Sequence, residues 1–236
     1  TTASAAEFSK LMENTFRDVN IALANVFSHI AEAAEVDVQE VIRTANLHPR
    51  VNVHTPGPGV GGHCIPVDPW FLIDAFPQEA TLLKQVRLIN DGQASHLVAR
   101  AEEEGLKPGS KVALLGAAYR GNIDDARDTP TELIIDQLAA KGYNWVVHDP
   151  HVERFHLHSG HAANLTQSLD EALSGASAAI IVTDHDDYRR MSPSDLTAMA
   201  NKLVIDSRRM IDEAVFDEAG VTVIRVGAPT LNSKQA

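Results

Sequence analysis

The chain has 236 residues, of which 44% are hydrophobic and 22% charged, with a formal net charge of −12. That is enough apolar material for a real core in one large domain or two modest ones, and the acidity excludes nucleic acid or an anionic membrane as principal partner. One cysteine excludes an intramolecular disulfide and fits a reducing cytoplasm, and no apolar run spans a bilayer and no charged-then-apolar leader opens the chain, so a soluble cytoplasmic protein is expected.

Ser4 with Glu7 reads as a capping box opening a long amphipathic helix, with Phe8, Met12, Phe16, Val19, Leu23, Val26, Phe27 and Ile30 along one face. This stripe is longer than one short neighbour can cover. Asp37 with Glu40 repeats the device for a shorter helix ending near Asn46, before Pro49. A further helix is expected from Thr81 to Glu104, with Leu82, Leu83, Val86, Ile89, Leu97 and Val98 as buried candidates and Gly105 as its stop. Gly92 weakens its middle by roughly 1 kcal/mol.

After the turn-rich stretch Lys107-Pro108-Gly109-Ser110 the pattern changes. Strands are expected at Lys111 to Gly116, Trp145 to His148, Ala179 to Thr183, Leu203 to Asp206 and Val221 to Val226. Helix signals fall between them: Thr129-Pro130-Thr131-Glu132 combines an N-cap, a first-turn proline and a capping glutamate, and Ser192-Pro193-Ser194-Asp195 echoes it. The fold class is thus α/β, with an all-α domain over residues 1–105 and a Rossmann-like parallel-sheet domain over 106–236.

The lone cysteine, Cys64, lies in Gly57-Pro58-Gly59-Val60-Gly61-Gly62-His63-Cys64-Ile65-Pro66-Val67-Asp68-Pro69-Trp70. Gly57, Gly59 and Gly62 satisfy G-x-G-x-x-G, but that fingerprint needs a strand before it and a helix opening from its last glycine. Pro56 and Pro58 interrupt the approach, and Pro66 and Pro69 argue against a regular helix directly after Cys64. The stretch reads instead as a glycine loop presenting a thiol nucleophile, with His63 beside it as a possible partner.

Asp68, in the same loop, could orient a water or an ammonium group, or be a turn residue. Lys10 and Asn14, one helical turn apart, could stabilise charge on an oxygen, although a merely solvated face is the stronger reading of these two taken alone. In the second half, Tyr119, Arg120 and Arg127 follow a strand end beside a helix N-terminus, and Arg208 and Arg209 follow another, which is where open α/β sheets bind anions. Surface salt bridges would explain the same arginines equally well. His148, His151, His156, His158 and His161 match no standard zinc spacing, so a polar loop and no metal site is expected.

Three segments together resemble the UDP-glucose/GDP-mannose dehydrogenase family: the helix Ala6-Glu7-x-x-Lys10-x-x-x-Asn14, the loop G-x-G-G-x-C-x-P-x-D at Gly59 to Asp68, and Arg120 to Pro130 followed by Asp206-x-Arg208. Within it, the loop is most similar to that of the branch acting on UDP-N-acetyl-D-mannosamine and related UDP-2-acetamido sugars. The resemblance implies NAD-dependent oxidation of a UDP-sugar at C6 to a uronate, with Cys64 forming a thiohemiacetal and then a thioester. It implies Lys10 and Asn14 as oxyanion stabilisers and Asp68 as the residue positioning water. It also implies Gly61, Tyr119, Arg120 and Arg208 at the substrate, Arg50 reaching the substrate of a neighbouring subunit, Arg127 at the cofactor, and a homodimer through the central helices. Many relatives have Phe-Lys where this chain has Tyr119-Arg120, which replaces a point ammonium with a planar fork. The family's N-terminal NAD domain is not among these residues, so the resemblance implies a fragment that does not turn over alone. A non-catalytic dimerising module that binds a nucleotide sugar is the alternative, as is the same chemistry on UDP-glucose, another UDP-2-acetamido sugar or GDP-mannose. An unrelated cysteine hydrolase would need a histidine base within hydrogen-bond reach.

Overall fold

The computed structural model describes residues 2–159 and 164–229. Helix α1 spans Ala3–Ala33, and its cap is Thr2, whose Oγ1 accepts from Ala5 N–H at 3.2 Å. The expected Ser4/Glu7 box is therefore corrected: both residues lie inside the helix, and Thr2 caps it.

The helix turns its polar face inward. Asn14, Thr15, Asp18, Asn25 and Ser28 are buried, whereas Phe8, Met12, Phe16, Leu23, Phe27 and Ile30 are exposed, Phe16 at 64%. The cause is its neighbour α4 (Thr81–Glu103), which presents buried Arg87, Asn90 and Gln93, so polar side chains find polar partners between the two helices. Alanines at 22, 24 and 31 share this buried surface.

Helix α2 (Val38–Ala45) is capped by Asp37, which accepts from Gln39 N–H at 2.8 Å. A helix not expected from the sequence, α3 (Asp68–Ala75), begins four residues after Cys64. Pro69 sits in its first turn, where the missing N–H is not needed, so this proline starts a helix rather than forbidding one. In α4, Val86, Leu97 and Val98 are buried as expected and Leu83 and Ile89 are half-buried, but Leu82 is 64% exposed.

Six strands form one all-parallel sheet: β1 (Lys111–Leu115), β2 (Asn144–His148), β3 (Leu165–Thr166), β4 (Ala178–Ile181), β5 (Leu203–Asp206) and β6 (Thr222–Arg225). Their spatial order is β3-β2-β1-β4-β5-β6, with Leu115 paired to His148 on one side and Ile181 on the other. The order reverses between β1 and β4, which opens a crevice at the carboxyl ends of these strands. Helix α5 (Pro130–Ala140) follows the β1 exit and is capped as expected by Thr129. Four shorter helical elements complete the connections: α6 (Leu169–Leu173), α7 (Asp186–Arg189), a 3₁₀ turn (Pro193–Leu196) and α8 (Glu213–Glu218).

One core layer joins Leu97 and Val98 of α4 with Ile134 and Leu138 of α5 against Val112, Leu114 and Ile180 of the sheet. The other packs Tyr188, Leu196 and Phe216 against Leu115, Ile181 and Val204. Through α4 the sheet is packed directly onto the helical half, which fixes the glycine loop against the sheet's open end.

Candidate active site

Asn14 is the residue that ties the first helix to the cysteine loop. Its Nδ2 donates to Asp68 Oδ2 at 2.5 Å, and Lys10 Nζ, one turn earlier, donates to Asn14 Oδ1 at 3.4 Å. Asp68 N–H in turn donates to Cys64 O at 2.8 Å, so thiol and carboxylate are carried by one tight turn. Cys64 is half-buried, Lys10 is exposed and Asn14 is 5% exposed. Lys10, Asn14, Asp68 and Cys64 thus meet, and Asn14 is not on a solvated face.

The loop closes against the second half of the chain. Gly62 N–H donates to Arg127 O at 3.2 Å, and a side chain at Gly61 would meet Pro130 Cδ at 2.7 Å, Asp128 O at 2.8 Å and Tyr119 Cβ at 2.8 Å. Gly62, with φ 92°, lies under the ring of Tyr119. Only glycine fits so close an approach. At the other end, Gly57 N–H donates to Asn25 Oδ1 at 2.9 Å, and the Arg208 guanidinium lies 3.1 Å from where a Gly57 Cβ would stand.

Arg208 comes from the β5 exit, where Asp206 Oδ1 accepts its N–H at 3.2 Å and Asp206 Oδ2 accepts Met210 N–H and Ile211 N–H. Its Nε donates to Val182 O at 2.9 Å. Burial lowers its pKa from the ordinary value, against the pull of Asp184. Arg120 is exposed at the β1 exit and makes no ion pair among the described residues. Arg208 is thus half-buried beside the glycine loop, and Arg120 is exposed next to Tyr119, which packs on Gly61 and Gly62.

Other expected residues are placed differently. Arg127 is exposed and forks onto Asp125, at 2.9 Å through Nε and 2.6 Å through Nη2, which holds the Asp125 carboxyl below its usual value. Arg50 is exposed in the turn after α2, its N–H donating to His48 Nδ1 at 3.3 Å, and touches neither Cys64 nor Arg208 within this chain. Arg209 turns away from the crevice, bridging Asp37 at the α2 cap with bonds of 2.8 and 3.0 Å. Of the histidines, His148 bonds Tyr188, His158 bonds Glu132 and His151 faces Asp187 at 3.5 Å, while His161 lies outside the described residues. Among the described residues no group of three His, Cys, Asp or Glu side chains comes together as a metal site.

The sequence reading missed the buried chain behind the loop. Asp18 takes Arg87 at 2.6 Å and Asn90 at 2.8 Å, Asn25 Nδ2 donates to Asn90 Oδ1 at 2.9 Å, and Arg87 also pairs with Asp91. Burial raises the Asp18 pKa, with Arg87 opposing it. A cleft of about 530 Å³ between the loop and α5 is lined by Val60, Trp70, Asp91, Asp128, Glu132 and Asp136. Arg87, committed to Asp18 and Asp91, and His158, bonded to Glu132, also line it, so acidic side chains outnumber basic ones there. Arg208 and Arg120 both lie outside this cleft, at the β5 and β1 exits.

The model of the UDP-glucose/GDP-mannose dehydrogenase family, central domain, matches residues 4–92, and that of the same family's UDP binding domain matches residues 113–213. The chain belongs to the UDP-glucose/GDP-mannose dehydrogenase family. A UDP-N-acetyl-D-mannosamine dehydrogenase of Methanocaldococcus jannaschii is 38% identical over 231 residues, covering 96% of this chain and 52% of the relative. An NDP-N-acetyl-D-galactosaminuronic acid dehydrogenase of Ralstonia nicotianae is 39% identical over 212 residues, covering 89% of this chain and 49% of the relative. The solved structure of a UDP-D-ManNAc dehydrogenase from Pyrococcus horikoshii superposes with a TM-score of 0.83 at 38% identity, covering 96% of this chain and 53% of that one. The chain thus spans about half the length of the relatives it matches.

Within this dehydrogenase family the match places the cysteine loop in the central domain and the crevice arginines in the UDP-binding domain. The residues present do not by themselves fit NAD. The glycine triplet packs on Tyr119 and Pro130 instead of opening a helix, and Arg127, the one side chain assigned to the cofactor by resemblance, is paired with Asp125. Among the described residues no helix is long and apolar enough to cross a membrane.

Proposed function

We propose that the chain forms the thiol-bearing and nucleotide-sugar-binding part, residues 1–105 and 106–236, of a UDP-sugar 6-dehydrogenase that acts on UDP-N-acetyl-D-mannosamine. The observation that supports this reading is the 2.5 Å bond from Asn14 to Asp68, which joins ammonium, amide and carboxylate on the turn whose backbone also carries Cys64. A binding module alone has no use for that set.

In this reading NAD, bound largely outside these residues, supplies the hydride acceptor for both oxidations. Cys64 adds its sulfur to the C6 aldehyde, forming a C–S bond while the carbonyl oxygen takes up a proton. Were hydride to leave C6 and a proton its hydroxyl, the same sulfur would hold the acyl group as a thioester, and water adding at the acyl carbon as the C–S bond breaks would give the carboxylate and return a proton to the thiol. Lys10 and the Asn14 amide stabilise the oxyanion in each tetrahedral stage, and Asp68, held in place by Asn14, positions the water. Arg208 and Arg120 bind the diphosphate, with Gly61 and Tyr119 shaping the pocket between them.

The same reading makes the protein a cytoplasmic homodimer. Of the exposed row Phe8, Met12, Phe16, Leu23, Phe27 and Ile30, the last three line an apolar groove of about 430 Å³ together with Val36, Val41 and Val51. A second copy covers this face and brings its Arg50 toward the neighbouring substrate.

Calorimetric titration of the purified chain tests the substrate. Preferential binding of UDP-N-acetylmannosamine over UDP-glucose, GDP-mannose and NAD is expected, with no NAD reduction by these 236 residues alone. Preference for another nucleotide sugar would overturn the substrate, and turnover by the isolated chain would overturn the division of labour.

A further inference from the structure

The segment Ala117 to Asn122 carries Tyr119 and Arg120 across the crevice between β1 and β4, and its amides are held from behind. Ala117 N–H and Ala118 N–H donate to Asp149 Oδ2 at 2.7 and 3.0 Å. Gly121 N–H donates to Asp184 Oδ1 at 3.0 Å and Asn122 N–H to His185 Nδ1 at 2.9 Å. Thr183 Oγ1 donates to Ala118 O at 2.6 Å. The acceptors stand at the carboxyl ends of β2 and β4, on opposite sides of β1.

One contact joins these two anchor points. His185 Nε2 lies 3.0 Å from Asp149 Oδ2, and because Nδ1 accepts an amide proton, the ring is neutral with its proton on Nε2, donated to the carboxylate. Asp149 Oδ1 is occupied as well, by His151 N–H at 2.8 Å and Val152 N–H at 2.9 Å. Both side chains are 0% exposed. The pair resembles a catalytic Asp-His dyad, yet neither group can touch a ligand.

We infer that Asp149 and His185 are positioning residues that hold the Tyr119-Arg120 turn in its anion-binding conformation. The inference rests on the proposed nucleotide-sugar site. The turn runs from buried Ala117 and Ala118 out to Asn122, whose left-handed backbone (φ 60°) is held by His185 at its amide and by Asp186 at its side chain. By accepting the Asn122 amide and donating to the carboxylate that holds Ala117 and Ala118, His185 closes the turn from both ends. Arg120 then starts from a fixed backbone, which reduces the ordering cost of gripping a diphosphate.

Two substitutions each imitate one ring nitrogen. His185→Gln places an amide nitrogen near Nε2 and keeps the donation to Asp149 but loses the acceptor for Asn122. His185→Asn places an amide oxygen near Nδ1 and keeps Asn122 but loses Asp149. The full chain is titrated with UDP-N-acetylmannosamine, with amide hydrogen exchange over residues 117–122 measured in parallel. In H185Q, exchange at Asn122 accelerates and the Kd rises about tenfold, as expected for a buried donor left without a partner. H185N shows faster exchange at Ala117 and Ala118 with Asn122 still protected. In an Arg120→Ala background the H185Q penalty on Kd disappears, because the two act through one turn. An equal penalty in both backgrounds, or unchanged exchange in both variants, overturns the inference while leaving the nucleotide-sugar site standing. Failure of the unaltered chain to bind any nucleotide sugar overturns the site itself, and with it the ligand role given to the turn.

Discussion

Asn14 and Asp68, 54 positions apart in sequence, share a 2.5 Å hydrogen bond that fixes the first helix to the turn bearing Cys64. Asn14 is buried and so is held rigid, whereas Lys10, its partner at 3.4 Å, keeps its ammonium in solvent. The amide thus fixes the direction of the Asp68 carboxylate without pairing it to a cation.

Asn14→Ala therefore removes both the amide donor and the anchor of Asp68. In the enzyme that contains this chain, kcat falls by about 10²-fold or more with little change in KM, as for loss of an oxyanion donor. Asn14→Asp is worse, since it sets two carboxylates against each other. Steady-state kinetics on both variants check the order, and a rise confined to KM would contradict it.

Gly61→Ala tests the closure of the loop on the second half. The added methyl meets Pro130, Asp128 and Tyr119 at 2.7–2.8 Å, and two of these contacts are backbone or ring atoms that cannot swing aside. Stability falls by about 1–3 kcal/mol. Urea unfolding measures the loss, and affinity for the nucleotide sugar falls with it. Gly92→Ala is the control, because nothing lies within 4 Å of its Cβ position.

Asp149 gives the pH dependence its sign. Burial alone would raise its carboxyl pKa, but the His185 ring and the Ala118 and His151 amides outweigh burial and hold it well below the ordinary carboxylate range. A depressed folded-state pKa stabilises the fold fully above the unfolded value, about 4, and this contribution is lost as pH falls through the folded value. Asp149→Asn is expected to cost about 1–3 kcal/mol at neutral pH, as for buried donors left without a full acceptor. It also flattens the loss of stability below about pH 4. Denaturant unfolding across pH checks this, and parallel pH profiles for the two proteins would contradict it.

Phe16→Glu with Phe27→Glu places charge on the exposed stripe of α1. Light scattering at micromolar concentration should report a dimer for the unaltered chain and a monomer for the variant, with helix content unchanged by circular dichroism. A monomeric unaltered chain would contradict the homodimer.

The sheet was largely legible because buried parallel strands are short apolar runs bounded by Gly, Pro and capping residues, as at Val112 to Leu115 or Val204 to Asp206. The two-residue strand β3 was not, since Leu165 and Thr166 carry no periodicity. Helix α1 was legible as a helix with an apolar stripe that one neighbour does not cover, but its buried polar face was not. Hydrophobic patterning assigns the apolar face to the core, whereas here Asn14, Asp18, Asn25 and Ser28 are buried against Arg87 and Asn90. The spacing of those polar residues was itself helical and could have marked them as a buried row. Cys64, Asp68 and the glycines could be read from the loop alone, but Asp149 and His185 could not, because their work is done through backbone amides that leave no sequence pattern.

The most direct test of the central claim is mass analysis of the Cys64 peptide from the enzyme containing this chain, quenched with acid during turnover of UDP-N-acetylmannosamine and NAD. An acyl adduct on Cys64, absent without NAD, is the expected result, with no uronate formed by Cys64→Ala. Uronate production undiminished in Cys64→Ala would contradict the account.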